Sequence, residues 1–173
     1  KMFTFALYIW DKRKIVRFSS FGSYPYPTNI FSTFPYEWII VFCKEGKRKQ
    51  IERWLGMNNI HSYTLRPIDE LPFWTIDVDG ADVNLVGNKQ VSLPDYIVFN
   101  EIRGGNFLCS YSEFVSMKGF PKMVGRNLDI SFSKIASLEY APDLVDKDFV
   151  ACGLSFSKDQ IREKIRVTNN VYC

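Results

Sequence analysis

The stretch Gly105-Asn106-Phe107-Leu108-Cys109-Ser110-Tyr111-Ser112, running on to Val115-Ser116-Met117-Lys118-Gly119-Phe120-Pro121, decides the fold. A second copy follows it: Arg126-Asn127-Leu128-Asp129-Ile130-Ser131-Phe132-Ser133, running on to Ala136-Ser137-Leu138-Glu139-Tyr140-Ala141-Pro142. Phe107 and Leu128 are 21 residues apart, and so are Pro121 and Pro142. A third copy opens at Phe149 with Val150-Ala151-Cys152-Gly153. A looser one precedes them, Asp82-Val83-Asn84-Leu85, reaching Val91-Ser92-Leu93-Pro94. A period this short marks stacked repeats, in which one unit cannot bury its apolar face and several together can.

Within each copy a strand alternates inward and outward with period two. Phe107, Cys109 and Tyr111 then share a face, as do Leu128, Ile130 and Phe132, then Phe149 and Ala151. A second apolar column follows, Phe114 with Met117 and Ile135 with Leu138. Pro121 and Pro142 mark the return corner, since proline cannot donate to a ladder. The expectation is a dry column of Phe107, Leu128 and Phe149. The opposite face, small and polar, is expected to point outward and to bind a partner protein through Ser110, Ser112, Asp129, Ser131 and Ser133. In the third copy Gly153-Leu154-Ser155 replaces the turn, so the stack is expected to end there. Ser157-Lys158-Asp159-Gln160 has the form of a capping box. It predicts a short helix through Ile161, Arg162 and Ile165 that covers the open end, with Arg166–Cys173 as a last strand.

The bulk composition sets the frame. The chain has 173 residues, 46% hydrophobic and 16% aromatic, which is ample for a core. No apolar run approaches the ~20 residues that cross a bilayer, so no membrane is expected. The opening Lys1–Trp10 is too short and aromatic for a signal peptide, and a lysine at position 1 suggests an expression remnant or a chain cut from something longer. Cys43, Cys109, Cys152 and Cys173 are dispersed and His61 is the only histidine, which argues against zinc and for reduced thiols in a cytoplasm. Residues 1–66 hold eleven Lys/Arg against four Asp/Glu, and residues 67–173 eleven against fifteen. That asymmetry suggests two modules.

Between them, Lys47-Arg48-Lys49-Gln50-Ile51-Glu52-Arg53-Trp54-Leu55 puts Ile51, Trp54 and Leu55 on one helical face. Gly56 and Asn58-Asn59 give the stop. Its basic face reads as solvated surface, with phosphate binding, aided by Lys44, as the sharper alternative. His61 reads as an ordinary hydrogen-bonded side chain, and Asp77, Asp79 and Asp82 as a solvated strand edge rather than a cation site. In front, Phe5–Trp10 and Glu37–Phe42 read as two strands of an aromatic hairpin, joined by a long loop rich in Ser, Gly, Tyr and Pro. Basic Lys12, Arg13, Lys14 and Arg17 lie among aromatics, with Tyr24 and Tyr26 beyond, a pattern used by nucleic-acid grooves.

Two resemblances join these readings. Ile76-Asp77-Val78-Asp79-Gly80, Phe107-Leu108-Cys109-Ser110 and the two segments ending at Pro121 and Pro142 make residues 49–173 resemble leucine-rich-like short-repeat proteins of tailed bacteriophages. That resemblance implies the cytoplasm of an infected bacterial host and no assigned activity. Trp10-Asp11-Lys12, Phe21-Gly22-Ser23-Tyr24-Pro25-Tyr26-Pro27 and Tyr36–Lys47 make residues 5–47 resemble a fragment of an amino-group (N4-cytosine/N6-adenine) DNA methyltransferase. It implies part of a fold that binds S-adenosylmethionine and acts on a flipped-out base. The Asp/Asn-Pro-Pro-aromatic tetrad and the Phe-x-Gly-x-Gly motif of that family are missing from this sequence, so a lone chain is not expected to methylate.

The reading is mainly β with minor α: a short β-solenoid, leucine-rich-repeat-like, preceded by an aromatic β-hairpin and a linking helix. Its parts are residues 1–46, 47–66 and 67–173. The expected function is non-catalytic recognition of a partner protein, with no cofactor. The alternative is an accessory part of an S-adenosylmethionine-dependent DNA methyltransferase, with DNA contacted by the basic front.

Overall fold

A computed structural model describes residues 5–7, 18–20, 36–67 and 74–173, with side-chain surroundings from Gly46 onward. The chain divides into two units, Lys1–Glu45 and Gly46–Cys173. In the first, β1 (Phe5–Leu7) pairs antiparallel with β2 (Phe18–Ser20), matching Phe5 with Ser20. This is the aromatic hairpin, but its second strand is not the expected Glu37–Phe42. That segment lies inside α1 (Tyr36–Met57). An apolar run reads the same in a buried strand or a helix, and length decides between them. Here the run continues without proline into the helix formers of Lys47–Leu55, and Pro35 sits just before it, where proline suits a helix start.

In the second unit α1 buries Ile51, Trp54 and Leu55, as its periodicity requires. Its end is a Schellman turn. Asn59 has φ 57°, Asn59 N–H donates to Gly56 O at 3.2 Å, and Ile60 N–H donates to Leu55 O at 2.9 Å. Asparagine is among the few side chains that adopt this left-handed conformation readily.

The rest is a β-solenoid of four coils. β3 (Tyr63–Pro67) pairs antiparallel with β4 (Trp74–Asp79) and closes one edge. From β4 onward all pairing is parallel. The coils begin with β4 and β5 (Val83–Asn84), then β6 (Phe99–Arg103) and β7 (Phe107–Leu108). They continue with β8 (Met123–Val124) and β9 (Leu128–Asp129), then β10 (Leu144–Val145) and β11 (Phe149–Val150). Two sheets result, ordered β12-β10-β8-β6-β4-β3 and β13-β11-β9-β7-β5, where β12 is Arg166–Val167 and β13 is Val171–Tyr172. A wide arc leads from the second sheet back to the first in each of the first three coils.

The predicted column exists. Phe107 pairs with Leu128 and Leu128 with Phe149, and all three are fully buried. Val83 and Val171 extend it at either end, so successive rungs are 24, 21, 21 and 22 residues apart. Ile102, Val124, Val145 and Val167 form the matching column of the other sheet, and Phe114, Met117 and Ile135 fill the arc. Each such side chain contributes about 1.5–3 kcal/mol by leaving water. Strands this short are held by those columns rather than by their few ladder bonds.

The far end differs from expectation. The capping box is present, with Ser157 N–H donating to Gln160 Oε1 at 2.9 Å and Gln160 N–H to Ser157 Oγ at 3.2 Å, at the start of α2 (Lys158–Lys164). Yet the stack does not stop at the third copy. α2 takes the place of the arc in the fourth coil, and the tail then makes two strands, β12 and β13, which add a further rung. Buried Ile161 and Ile165 stand in for the arc's apolar side chains.

Candidate partner-binding face

The expected binding face is not a surface. Ser110, Ser112, Ser131 and Ser133 are between 2% and 9% exposed, and Asp129 is half-buried. The correction has a clear cause. Alternation holds from Phe107 to Cys109 and is lost at the turn: Ser110, due outward, is buried and Tyr111, due inward, is exposed with φ 55°, just as Ser131 is buried before an exposed Phe132 with φ 54°. The chain leaves the extended strand at this turn, so the side chains on both sides of the left-handed residue no longer follow the strand's alternation. The polar side chains then serve the turn. Asp129 Oδ1 accepts the Ser131 N–H at 2.9 Å and Ser133 Oγ accepts the Ile135 N–H at 3.4 Å. Ser112 Oγ and Ser131 Oγ are buried with no hydrogen-bond partner among the described residues.

What the turn brings outward is aromatic. Tyr111 and Phe132, expected in the core, are 62% and 52% exposed. Their rings stack with centroids 4.9 Å apart and planes 17° apart. They hold one place in the coil together with Gly87 and Gly153, whose φ values are 68° and 78°. Beside them run exposed Val91 and Val115, joined by a Val115 N–H to Val91 O bond of 2.9 Å. A Glu113–Lys134 ion pair lies between the two columns in sequence. The Lys134 hydrogen bond, and then its charge, hold the Glu113 carboxyl below its ordinary value. At the far end of the arc the left-handed φ recurs 21 residues apart, at Gly119 (φ 85°) and at exposed Tyr140 (φ 61°), near an Asp95–Lys118 pair of 2.9 Å. A cleft of ≈ 610 Å³ adjoins the arc, between Ala136 and Leu138 on one side and Phe156, Gln160 and Glu163 on the other.

The other singled-out residues are structural or lie elsewhere. Lys12, Arg13, Lys14, Arg17, Tyr24 and Tyr26 lie outside the described residues. In α1, Lys47 Nζ sits 5.6 Å from the Tyr96 ring centre, and Arg48 lies over Trp74 and pairs with Glu52 at 2.9 Å. Both cations therefore already have protein neighbours. Asp77 is fully buried, 2.5 Å from Arg66 Nε and 2.8 Å from Asn100 Nδ2. Arg103 bridges Asp79 at 3.0 Å and Glu101 at 2.8 Å. Among the described residues no three His, Cys, Asp or Glu are gathered as for a metal ion. Burial pushes the Cys109 thiol well up.

One feature went unread in the sequence. At the corner between the sheets, Asp82 Oδ1 accepts the Asn106 N–H at 2.8 Å, and Asn106 Oδ1 accepts the Asn127 N–H at 3.1 Å. Asn127 Oδ1 accepts the Asp148 N–H at 3.1 Å, and Asp148 Oδ1 accepts the Asn170 N–H at 3.0 Å. The signal was the same period that Phe107 and Leu128 revealed.

Among the described residues no helix is long and apolar enough to cross a membrane. Compared with family models, with curated proteins and with solved structures, the chain matches none.

Proposed function

We propose that the solenoid is a recognition module that holds a partner protein on its arc face, with Tyr111 and Phe132 as the anchors. The observation that carries this is their backbone. A left-handed conformation costs an ordinary residue about 1–2 kcal/mol, and an aromatic stack returns about 0.5–1.5 kcal/mol per pair. Two strained residues share one stack, so glycine at both places, as at Gly87 and Gly153, is the less strained solution for folding alone. Strain kept at an exposed aromatic pair supports a surface role. The flanking valines extend the apolar patch, and the ion pair between them leaves little net charge to desolvate.

The test is selection of peptides from a displayed random library on the full chain, followed by affinity measurement on the wild type and on Tyr111→Ser/Phe132→Ser. Selected peptides are expected to lose about tenfold or more on the double variant, the scale of one or two anchor contacts. Peptides that bind both proteins equally overturn the reading.

A further inference from the structure

The aromatic ladder is closed at one end and open at the other. Gly87, Tyr111 and Phe132 are equivalent by their hydrogen bonds as well as by φ. Their N–H groups donate to Ser110 O, Ser131 O and Cys152 O at 2.9, 2.8 and 2.9 Å. The rings lean toward the following coil. Phe132 covers Gly153 so closely that a Cβ there would lie 2.6 Å from Phe132 Cδ1. Tyr111 in turn lies over Phe132. At Gly87 a Cβ would meet nothing within 4 Å. The ring face of Tyr111 turned toward Gly87 therefore has no side chain from the ladder upon it, and the coil spacing of about 4.8 Å leaves the thickness of one more ring.

We propose that this face of Tyr111, bounded by Gly87, Val86 and Lys89, receives an aromatic side chain of the partner protein that stands next to a carboxylate. The inference rests on the recognition reading above and names the partner's chemistry. Three observations select that occupant. The surroundings are apolar, with exposed Val86 and Val91. The nearby polar groups are engaged: Asn84 Oδ1 accepts the Val86 N–H at 3.1 Å, Asn88 Oδ1 accepts the Gln90 N–H at 2.8 Å, and Glu113 holds Lys134. A sugar would find few free hydrogen-bonding groups there. Charge decides the rest. Among the described residues Lys89 makes no ion pair, and the carboxylate that feels it, Glu113, is already matched by Lys134, so one positive charge remains for a carboxylate of the partner.

The probes are N-acetyl-Asp-Trp-amide, N-acetyl-Trp-amide, N-acetyl-Arg-amide and methyl glucoside, titrated into the isotope-labelled full chain and followed by NMR. The acidic dipeptide is expected to shift the signals of Gly87, Lys89 and the Tyr111 ring, and to bind more tightly than the others. Tyr111→Phe keeps this binding. Tyr111→Ser loses about tenfold, the value of one stacking contact. Gly87→Asn, which tolerates the left-handed backbone and fills the space, loses as much. Lys89→Glu removes the preference for the acidic over the neutral tryptophan probe. Shifts that map elsewhere, binding that survives both Tyr111→Ser and Gly87→Asn, or tighter binding of the arginine or sugar probe overturns the proposal. Display-selected peptides separate the two readings. Peptides sensitive to the Tyr111→Ser/Phe132→Ser change but indifferent to Gly87→Asn sink the slot and leave the module standing. Peptides indifferent to the double change sink the module.

Discussion

The corner between the two sheets and the start of the arc repeat with the same period but on different terms. At the corner every coil has an Asp or Asn: Asp82, Asn106, Asn127, Asp148, Asn170. In each of the first four the carboxyl or amide oxygen takes the N–H of the next coil, so the side chain completes a backbone bond, and only that chemistry at that length will do. At the start of the arc the requirement is a left-handed φ alone, and it is met by glycine at two places and by Tyr111 and Phe132 at two others. Where the backbone dictates the side chain, the residue type is constant. Where the backbone would accept glycine and receives an exposed ring, the side chain is the one on which the proposed recognition role rests. Both edges rest on the buried column between them.

The largest effect tests that column. Leu128→Ala should lower the unfolding free energy by about 2–5 kcal/mol, because Leu128 is fully buried between Phe107 and Phe149. Chemical denaturation checks it. Since stability in a stack is largely a sum over neighbours, hydrogen exchange should quicken on the rungs of β7 and β11 more than at β3.

The next sets corner against arc directly. Asn127→Ala removes the acceptor for the Asp148 N–H and should cost about 1–3 kcal/mol, the scale of a part-buried donor left unmade. Tyr111→Gly and Phe132→Gly should each change stability by less than about 1 kcal/mol, since relieved strain and lost stacking nearly cancel. Equal losses at the two edges, measured by the same denaturation, would erase the distinction between them.

That distinction also marks how far the sequence could be read. The period, the inward pile of Phe107, Leu128 and Phe149, the Asn58-Asn59 helix stop and the capping box at Ser157 all rest on local patterns, and the structure has each of them. Parity beyond Cys109 was beyond reach, because alternation assumes an extended backbone and nothing in the letters Tyr111 or Phe132 announces a positive φ. A glycine there would have. The same blindness turned Ser110 and Ser112 from core neighbours into a supposed surface. The segment Glu37–Phe42 failed for another reason: β-branched and aromatic residues favour a strand by propensity, and the helix comes from the long unbroken run that follows.

A smaller effect appears in acid. Asp82 lies below its ordinary value because the Asn106 backbone N–H, then the Asn106 side chain, donate to it, with Arg126 adding to the effect. Glu113 is lowered by its hydrogen bond from Lys134 and then by that charge. A carboxyl whose folded value is depressed adds stability above its unfolded value, about 3.9 for Asp and 4.3 for Glu. It loses that contribution as pH falls through the folded value. Both sites should therefore titrate in the acid range by NMR, and Asp82→Asn should flatten part of the acid loss. Salt separates the two edges. An exposed ion pair is screened within about 10 Å at 0.1 M salt, so the depression at Glu113 should shrink in high salt, while that at Asp82, held chiefly by neutral amides with Arg126 a smaller part, should shrink less.

The smallest effect is the most direct check on which way the serines face. Ser112 is 2% exposed and its hydroxyl has no hydrogen-bond partner among the described residues. Desolvating a hydroxyl without a compensating hydrogen bond costs about 1–3 kcal/mol in mutational data, whereas a methyl group there needs no partner. Ser112→Ala should thus leave stability unchanged or raise it by up to about 1 kcal/mol. Ser112→Arg, harmless on an outer face, should cost several kcal/mol or prevent folding, since an unpaired charge in that interior has nothing to meet it. If the arginine variant unfolds at the wild-type midpoint, Ser112 faces water, the turn at Tyr111 is wrong, and the aromatic pair returns to the core from which the sequence first placed it.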